Sequence, residues 1–171
     1  MTDRSATQPP VPSNDSETIL QPPAVPALRR AQPDFRWDAV DVLEYKPEGS
    51  APFRDITRQL LFRTEALACE LRYFEIAADG HSTLERHEHE HGVLILRGRG
   101  RCLLGDRIHT VDAHDLIMIT SNTWHQFRAD TDSPLGFLCM VNKERDRPVL
   151  PSPEDLARLC ENPEIAAFIR P

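Results

Sequence analysis

The chain has 171 residues, 40% of them hydrophobic, with a formal net charge of −7 and a pI near 5.5. That length favours one domain plus some tail, and the apolar content is enough to bury a core. The acidic balance argues against nucleic acid or an anionic membrane as main partner, because both reward clustered Lys and Arg.

Seven of the fifteen prolines fall in the first 33 residues, among Ser, Thr and Asp and with no hydrophobic period. Residues 1–33 therefore read as a disordered Pro-rich tail. Composition shifts at Asp34, and Val40, Val42 and Tyr45 suggest a short edge strand. Residues 53–65 fit no single pattern. From Ala68 to Ala77 the chain is rich in strand formers, and Asp79-Gly80 carries a turn signal. Gly92–Leu96, Arg101–Leu104, Ile108–Val111, Leu116–Thr120, Gln126–Arg128 and Leu135–Val141 supply further short strands, with Gly105-Asp106 as a hairpin turn. Short strands at close spacing without intervening helices predict an antiparallel sandwich or barrel over 34–145. In the final segment, 146–171, Ser152 is placed as an N-cap with Pro153 at the first helical position. A second helix is expected after Asn162-Pro163-Glu164, burying Ile165, Phe168 and Ile169.

Cys69, Cys102, Cys139 and Cys160 form no CxxC pair. They read as buried thiols in a reducing compartment, not as a disulfide framework or a zinc knuckle. No apolar run approaches the roughly 18–20 residues that span a bilayer, and the first residues lack the apolar core of a signal peptide. A cytoplasmic protein is expected. Arg97, Arg99 and Arg101 share one face of a strand, which reads as solvated or as attractive to an anionic ligand.

The most informative segment is Leu84-Glu85-Arg86-His87-Glu88-His89-Glu90-His91-Gly92, with three of the seven histidines in five residues. In extended chain, Glu85, His87, His89 and His91 point to one face, and Val93 and Ile95 continue that parity into an apolar strand. Burying imidazoles and a carboxylate without partners costs several kcal/mol, and a metal ion removes that cost. Neutral imidazoles with a carboxylate suit Fe, Mn, Zn, Ni, Co or Cu. A straight strand would hold positions 85 and 91 about 20 Å apart, so the chain must bend between them. The bend is expected at His89–Gly92, where glycine makes a bulge inexpensive. The competing reading is a surface tract of alternating Glu and His.

These residues resemble the cupin superfamily, whose first motif runs G-x5-H-x-H-x3,4-E-x6-G and whose second runs G-x5-P-x-G-x2-H-x3-N. Gly98 fixes the register: His91 takes the glutamate place, His87 the second histidine and Glu85 the first, so one carboxylate and one histidine are exchanged. Gly80, the opening glycine, is one residue closer than the pattern asks. In the second motif His125 takes the histidine place, while His114, Thr120, Asn122 and Ala129 stand where glycine, proline, glycine and asparagine are usual. Asn122 suits a left-handed turn. A second register, with His87 and His89 as the pair and Gly100 closing, puts Val93 at the third ligand position, where it cannot bind metal.

The resemblance implies an all-β cupin or jelly-roll barrel holding one divalent transition metal, Fe(II) in the first instance, on Glu85, His87, His91 and His125. His89, Phe127 and Tyr73 are expected at the pocket; Tyr73 or Glu75 could orient a substrate or an imidazole. Gln126 should point away. The expected activity is a small-molecule dioxygenase acting on a chelating organic acid, diketone or thiol. The alternatives are a redox-neutral lyase, decarboxylase or isomerase with Glu85 as general base, or a non-catalytic metal- or ligand-binding protein. Pairing of cupin sheets makes a homodimer plausible.

Overall fold

In the computed structural model, residues 26–171 are described; the tail expected over 1–33 lies outside them up to residue 25. Ala31–Gln32 (β1) folds through a single 3-10 turn onto Arg36–Trp37 (β2) as a small hairpin. Eight further strands make one sheet: β3 Leu43–Glu44, β4 Arg54–Phe62, β5 Cys69–His81, β6 His91–Leu104, β7 Arg107–Asp112, β8 Leu116–Ile119, β9 His125–Ala129 and β10 Leu135–Asn142. The chain ends in two helices, α1 Pro153–Leu159 and α2 Pro163–Phe168.

The sheet closes because β10 pairs with both β5 and β6, while β9 bridges the same two strands from the other side. β6 does this by changing partners along its length. Its first half, from His91, pairs with β8 and β10; its second half pairs with β7 and β9. The change falls at Gly98, which sits at φ +73°, where a Cβ would lie 1.7 Å from the Pro134 carbonyl oxygen. Only glycine fits there. The sequence pattern predicts two strands here, Gly92–Leu96 and Arg101–Leu104, where the structure has one. The Asp79-Gly80 signal likewise marks no chain reversal. It lies inside β5, with Asp79 at φ 62° and Gly80 packed against the Arg54 carbonyl oxygen, because β5 continues to His81. The ambiguous stretch 53–65 contains β4.

Alternation decides what lies inside. Val93 and Ile95 of β6, Ile117 and Ile119 of β8, Phe127 and Ala129 of β9, and Phe137, Cys139 and Val141 of β10 are buried in one cluster. The other face of β9 is covered as well. Gln126 is fully buried, donates from Nε2 to the carbonyls of Ser82 and Arg170, and accepts the Arg170 N–H at 2.9 Å. That fastens the C-terminus over a second cluster of Leu84, Leu103, Ile165, Phe168 and Ile169. α1 starts with Ser152 and Asp155 capping each other's backbone N–H, and Asn162 caps α2. No helix among the described residues is long and apolar enough to cross a membrane.

Candidate metal centre

His87, His91 and His125 offer ligand atoms that all lie within 4.8 Å of one another, and they could hold a metal ion. His125 opens β9, and His91 opens β6. His87 lies in the connection between β5 and β6. Glu85 forms a bridge pair with His125, the N–H of each bonding the carbonyl of the other, which seats the connection against the mouth of β9. Three separate pieces of chain thus meet at one end of the barrel.

The orientation of the rings is set through their second nitrogens. Nδ1 of His87 is 2.7 Å from the carbonyl oxygen of His89, and Nδ1 of His125 is 2.9 Å from that of Thr123. A carbonyl only accepts, so each Nδ1 carries the proton and each Nε2 keeps its lone pair for the site. Nε2 of His87 and of His91 is buried with no hydrogen-bond partner. Orphaned buried acceptors of this kind are costly, and a cation placed between them satisfies them. Burial is the main cause that lowers all three imidazoles from their ordinary value of 6.5, His87 and His125 to about 4 and His91 to about 2, with mutual repulsion adding to it for His87 and His91. All three are neutral at physiological pH, the form that binds metal.

Glu85 stands apart from this cluster. It is buried, lines the same cavity and pairs with Lys46, whose ammonium donates to Oε2. The carboxylate expected as a fourth ligand is therefore at the site but held by a lysine. His89 stacks on His87 with ring centroids 3.7 Å apart, and its Nδ1 is 2.5 Å from Asp146 Oδ1. The second carboxylate oxygen of Asp146 accepts the Glu88 N–H at 2.9 Å, and Oδ1 also accepts the His89 N–H at 3.1 Å. The bend between the first two ligands thus falls at Glu88–His89 and not at His89–Gly92. A carboxylate from the chain that follows β10, and not a glycine bulge, holds it.

Two chambers with four wall residues in common lie beside the imidazoles. The inner one, about 40 Å³, is lined by Tyr45, Phe74, Glu85, His91, His125, Phe127, Phe137 and Cys139, with Ser82 and Val93. The outer one, about 200 Å³, shares Tyr45, Phe74, Glu85 and His91 and adds His87, His89 and a basic rim. Phe127 lines the pocket as its alternation with His125 predicts. Tyr73 does not. It shares parity with Glu75, to which its hydroxyl donates, and packs under Phe35 and Trp37 of the N-terminal hairpin. On β5 it is Arg72, Phe74 and Ile76 that alternate inward.

Two pocket residues were missed by the sequence reading. For Tyr45 the sequence suggests only an edge strand. Cys139 was one of four unremarkable thiols, although the alternation Phe137, Cys139, Val141 was available to place it inward. Its Sγ is 3.6 Å from His91 Nδ1 and accepts from Arg72 Nη2 at 3.4 Å. Burial pushes the thiol up, and the Arg72 guanidinium works against that.

A closed antiparallel barrel with imidazoles converging at one end defines a cupin, and the model of the Cupin domain family matches residues 72–141. The chain belongs to the cupin superfamily. Over 142 residues it is 55% identical to a Rhodospirillum rubrum protein named 1-methylthio-D-xylulose 5-phosphate methylsulfurylase, covering 83% of this chain and 91% of that protein. Among solved structures, a cupin 2 conserved barrel domain protein from Rhodopseudomonas palustris is 53% identical with a TM-score of 0.81, over 85% of this chain and 100% of the other. A cupin-2 domain from Rhodospirillum rubrum is 55% identical with a TM-score of 0.75, over 82% and 95%.

Proposed function

We propose that this chain is a metal-dependent cupin that removes the methylsulfanyl group from a phosphorylated 1-methylthio ketose, with His87, His91 and His125 as metal ligands and Cys139 as the group that accepts sulfur. The observation that carries it is a buried thiol opening on the same small chamber as the imidazoles, in a chain 55% identical to a protein named for that reaction. This reading comes ahead of the oxygenase one. It differs from the redox-neutral lyase, decarboxylase or isomerase as well, because thiols supply two electrons as the C1–S bond becomes a C1–H bond.

In such a ketose the sulfur sits on C1, next to the C2 carbonyl. A divalent metal held by His87, His91 and His125 would supply a Lewis acid for that carbonyl. The Cys139 thiol, beside the Arg72 guanidinium, attacks the substrate sulfur as its proton passes to the Glu85 carboxylate on the same chamber wall. The S–S bond forms as the C1–S bond breaks, and its electron pair passes into the enolate of C1 and C2. Tyr45 lines both chambers, and burial, with Glu85 next in weight, raises its phenol well above the ordinary value, so it stays protonated. It is the residue we assign to return a proton to C1. Cys139 is left as a methyl disulfide, which a second, external thiol reduces. Phe127 and Phe137 exclude water from the enolate.

The test combines metal-loaded protein, a 1-methylthio ketose phosphate and a thiol, under anaerobic conditions. The expected result is a 1-deoxy ketose phosphate and, when the thiol is withheld, a methylsulfanyl adduct on Cys139 by intact mass and peptide mapping. Cys139→Ser should bind metal and form no adduct. Turnover that requires dioxygen, or adduct-free turnover by Cys139→Ser at the rate of the unaltered protein, would overturn the reading.

A further inference from the structure

The rim of the outer chamber holds more positive charge than its carboxylates neutralise. Lys46, Arg58, Arg72 and Arg145 all line it. Lys46 is taken by Glu85, and Arg145 and Arg72 approach the buried Glu70 Oε1 at 2.8 and 3.6 Å. The remaining lining carboxylate, Asp146, is occupied by His89 and two backbone N–H groups. Arg58 has no carboxylate partner among the described residues, and its Nε is buried without a hydrogen bond.

The strand register explains the crowding. Arg58 of β4 stands opposite Phe74 of β5, and Leu60 stands opposite Arg72. Phe74 and Arg72 share a face, so Arg58 and Arg72 are diagonal neighbours on it, an arrangement that disfavours like charges. Burial and the nearby Arg72 lower Arg58 from its ordinary value, the Glu70 carboxylate opposes them, and Arg145 adds to the lowering. A half-buried guanidinium in that position is stabilised by an anion that the described residues do not provide.

We propose that Arg58, Arg72 and Arg145, with Lys46 at the edge, form a site for the phosphate group of the substrate. The site adjoins the imidazoles through the shared walls Tyr45, Phe74, Glu85 and His91. The guanidinium fork matches phosphate oxygens in pairs. A small molecule anchored there by its phosphate reaches inward, so its far end, and not its charged end, meets His91, His125 and Cys139. The reactive carbon is thereby selected by chain length from the phosphate. The assignment of the anion as a substrate phosphate rests on the proposed function above; the surplus of guanidinium charge does not.

The experiment uses metal-loaded full-length protein with Arg58→Gln and Arg145→Gln variants, thermal melts confirming the fold, and Arg58→Lys as the conservative replacement. Inorganic phosphate is titrated calorimetrically, and kinetics are run with a 1-methylthio ketose 5-phosphate and with its dephosphorylated form. Each Gln variant should weaken phosphate binding about tenfold or more. Each should raise KM for the phosphorylated substrate with little change in kcat, leave the poor dephosphorylated substrate unaffected, and be partly rescued by Arg58→Lys at that position. If Arg58→Gln does not fold, Arg145→Gln carries the same comparison. Phosphate affinity unchanged in both variants overturns the site whether or not methylsulfanyl transfer occurs. If transfer is absent from the unaltered protein while phosphate affinity falls in the variants, the anion site stands and the methylsulfanyl reading falls.

Discussion

Asp146 grips His89 across 57 residues of sequence, with its carboxylate 2.5 Å from the His89 ring and within hydrogen-bond reach of the Glu88 and His89 backbone N–H groups. Partial burial works against its ionised form, but those three donors prevail and hold the carboxyl well below its usual range. The bend that lets His87 and His91 face one point therefore depends on a residue beyond the last strand.

From this we expect Asp146→Ala to weaken metal binding without abolishing it, by about 10–100-fold as for other residues that orient ligands. His89→Ala should cost less, since the backbone donors keep their partner. Competition against a chelator of known affinity measures both. Equal affinity in Asp146→Ala and the unaltered protein would show that the bend holds itself.

The three imidazoles differ from Glu85 in what their loss should do. His87→Ala, His91→Ala or His125→Ala each removes one of the converging ligand atoms and should abolish stoichiometric metal binding, as read by elemental analysis after desalting. Lys46→Met tests the carboxylate. Removing the ammonium leaves Glu85 buried and unpaired, which should destabilise the metal-free protein by about 1–3 kcal/mol, less than for a fully buried pair because Lys46 is partly exposed. The same change should tighten metal binding, because the freed carboxylate can turn to the ion. Weaker binding in Lys46→Met would exclude Glu85 as a ligand.

The depressed imidazoles set a pH dependence with a definite sign. The unfolded chain takes up protons on these histidines near 6.5, whereas folded His87 and His125 do so only near 4 and His91 near 2. The unfolded state thus binds more protons below pH 6.5. The stability of metal-free protein should fall as pH drops from about 6.5 towards 4, by up to about 1.4 kcal/mol per pH unit for each imidazole. Above pH 7 these groups should contribute no slope. Urea melts between pH 5 and 8 check this, and a flat profile that does not respond to His87→Ala would contradict it.

Gly98→Ala should be among the most damaging single changes in the barrel. Its positive φ disfavours a side chain, and the new Cβ would overlap the Pro134 carbonyl oxygen, which is backbone and cannot swing aside. A loss of about 3 kcal/mol or more is expected from the denaturation midpoint. A loss under about 1 kcal/mol would mean that β6 can change partners without this kink.

Much of this was legible in the chain itself. Alternating strand formers, a Gly105-Asp106 hairpin and capped helices at Ser152 and Asn162 are local signals, and the structure has a strand, turn or helix at each. The spacing of Glu85, His87, His91 and Gly98, together with His125, singled out the histidines that converge. Short-range patterns fail where a residue's role is set by something distant. Asp79-Gly80 looks like a turn until β5 finds partners that carry it on to His81.

The sequence determined which residues alternate inward and that His87 and His91 are near enough along the chain to share a site, because both follow from a period of two and from the reach of a few residues. Only the tertiary structure decided that Lys46 takes Glu85, that Asp146 holds the bend, that Tyr73 lies under the N-terminal hairpin, that Cys139 meets His91 and that Arg58 faces the pocket. Each of these depends on which strands become neighbours when the barrel closes. That is fixed by packing over the whole core, which no local period records.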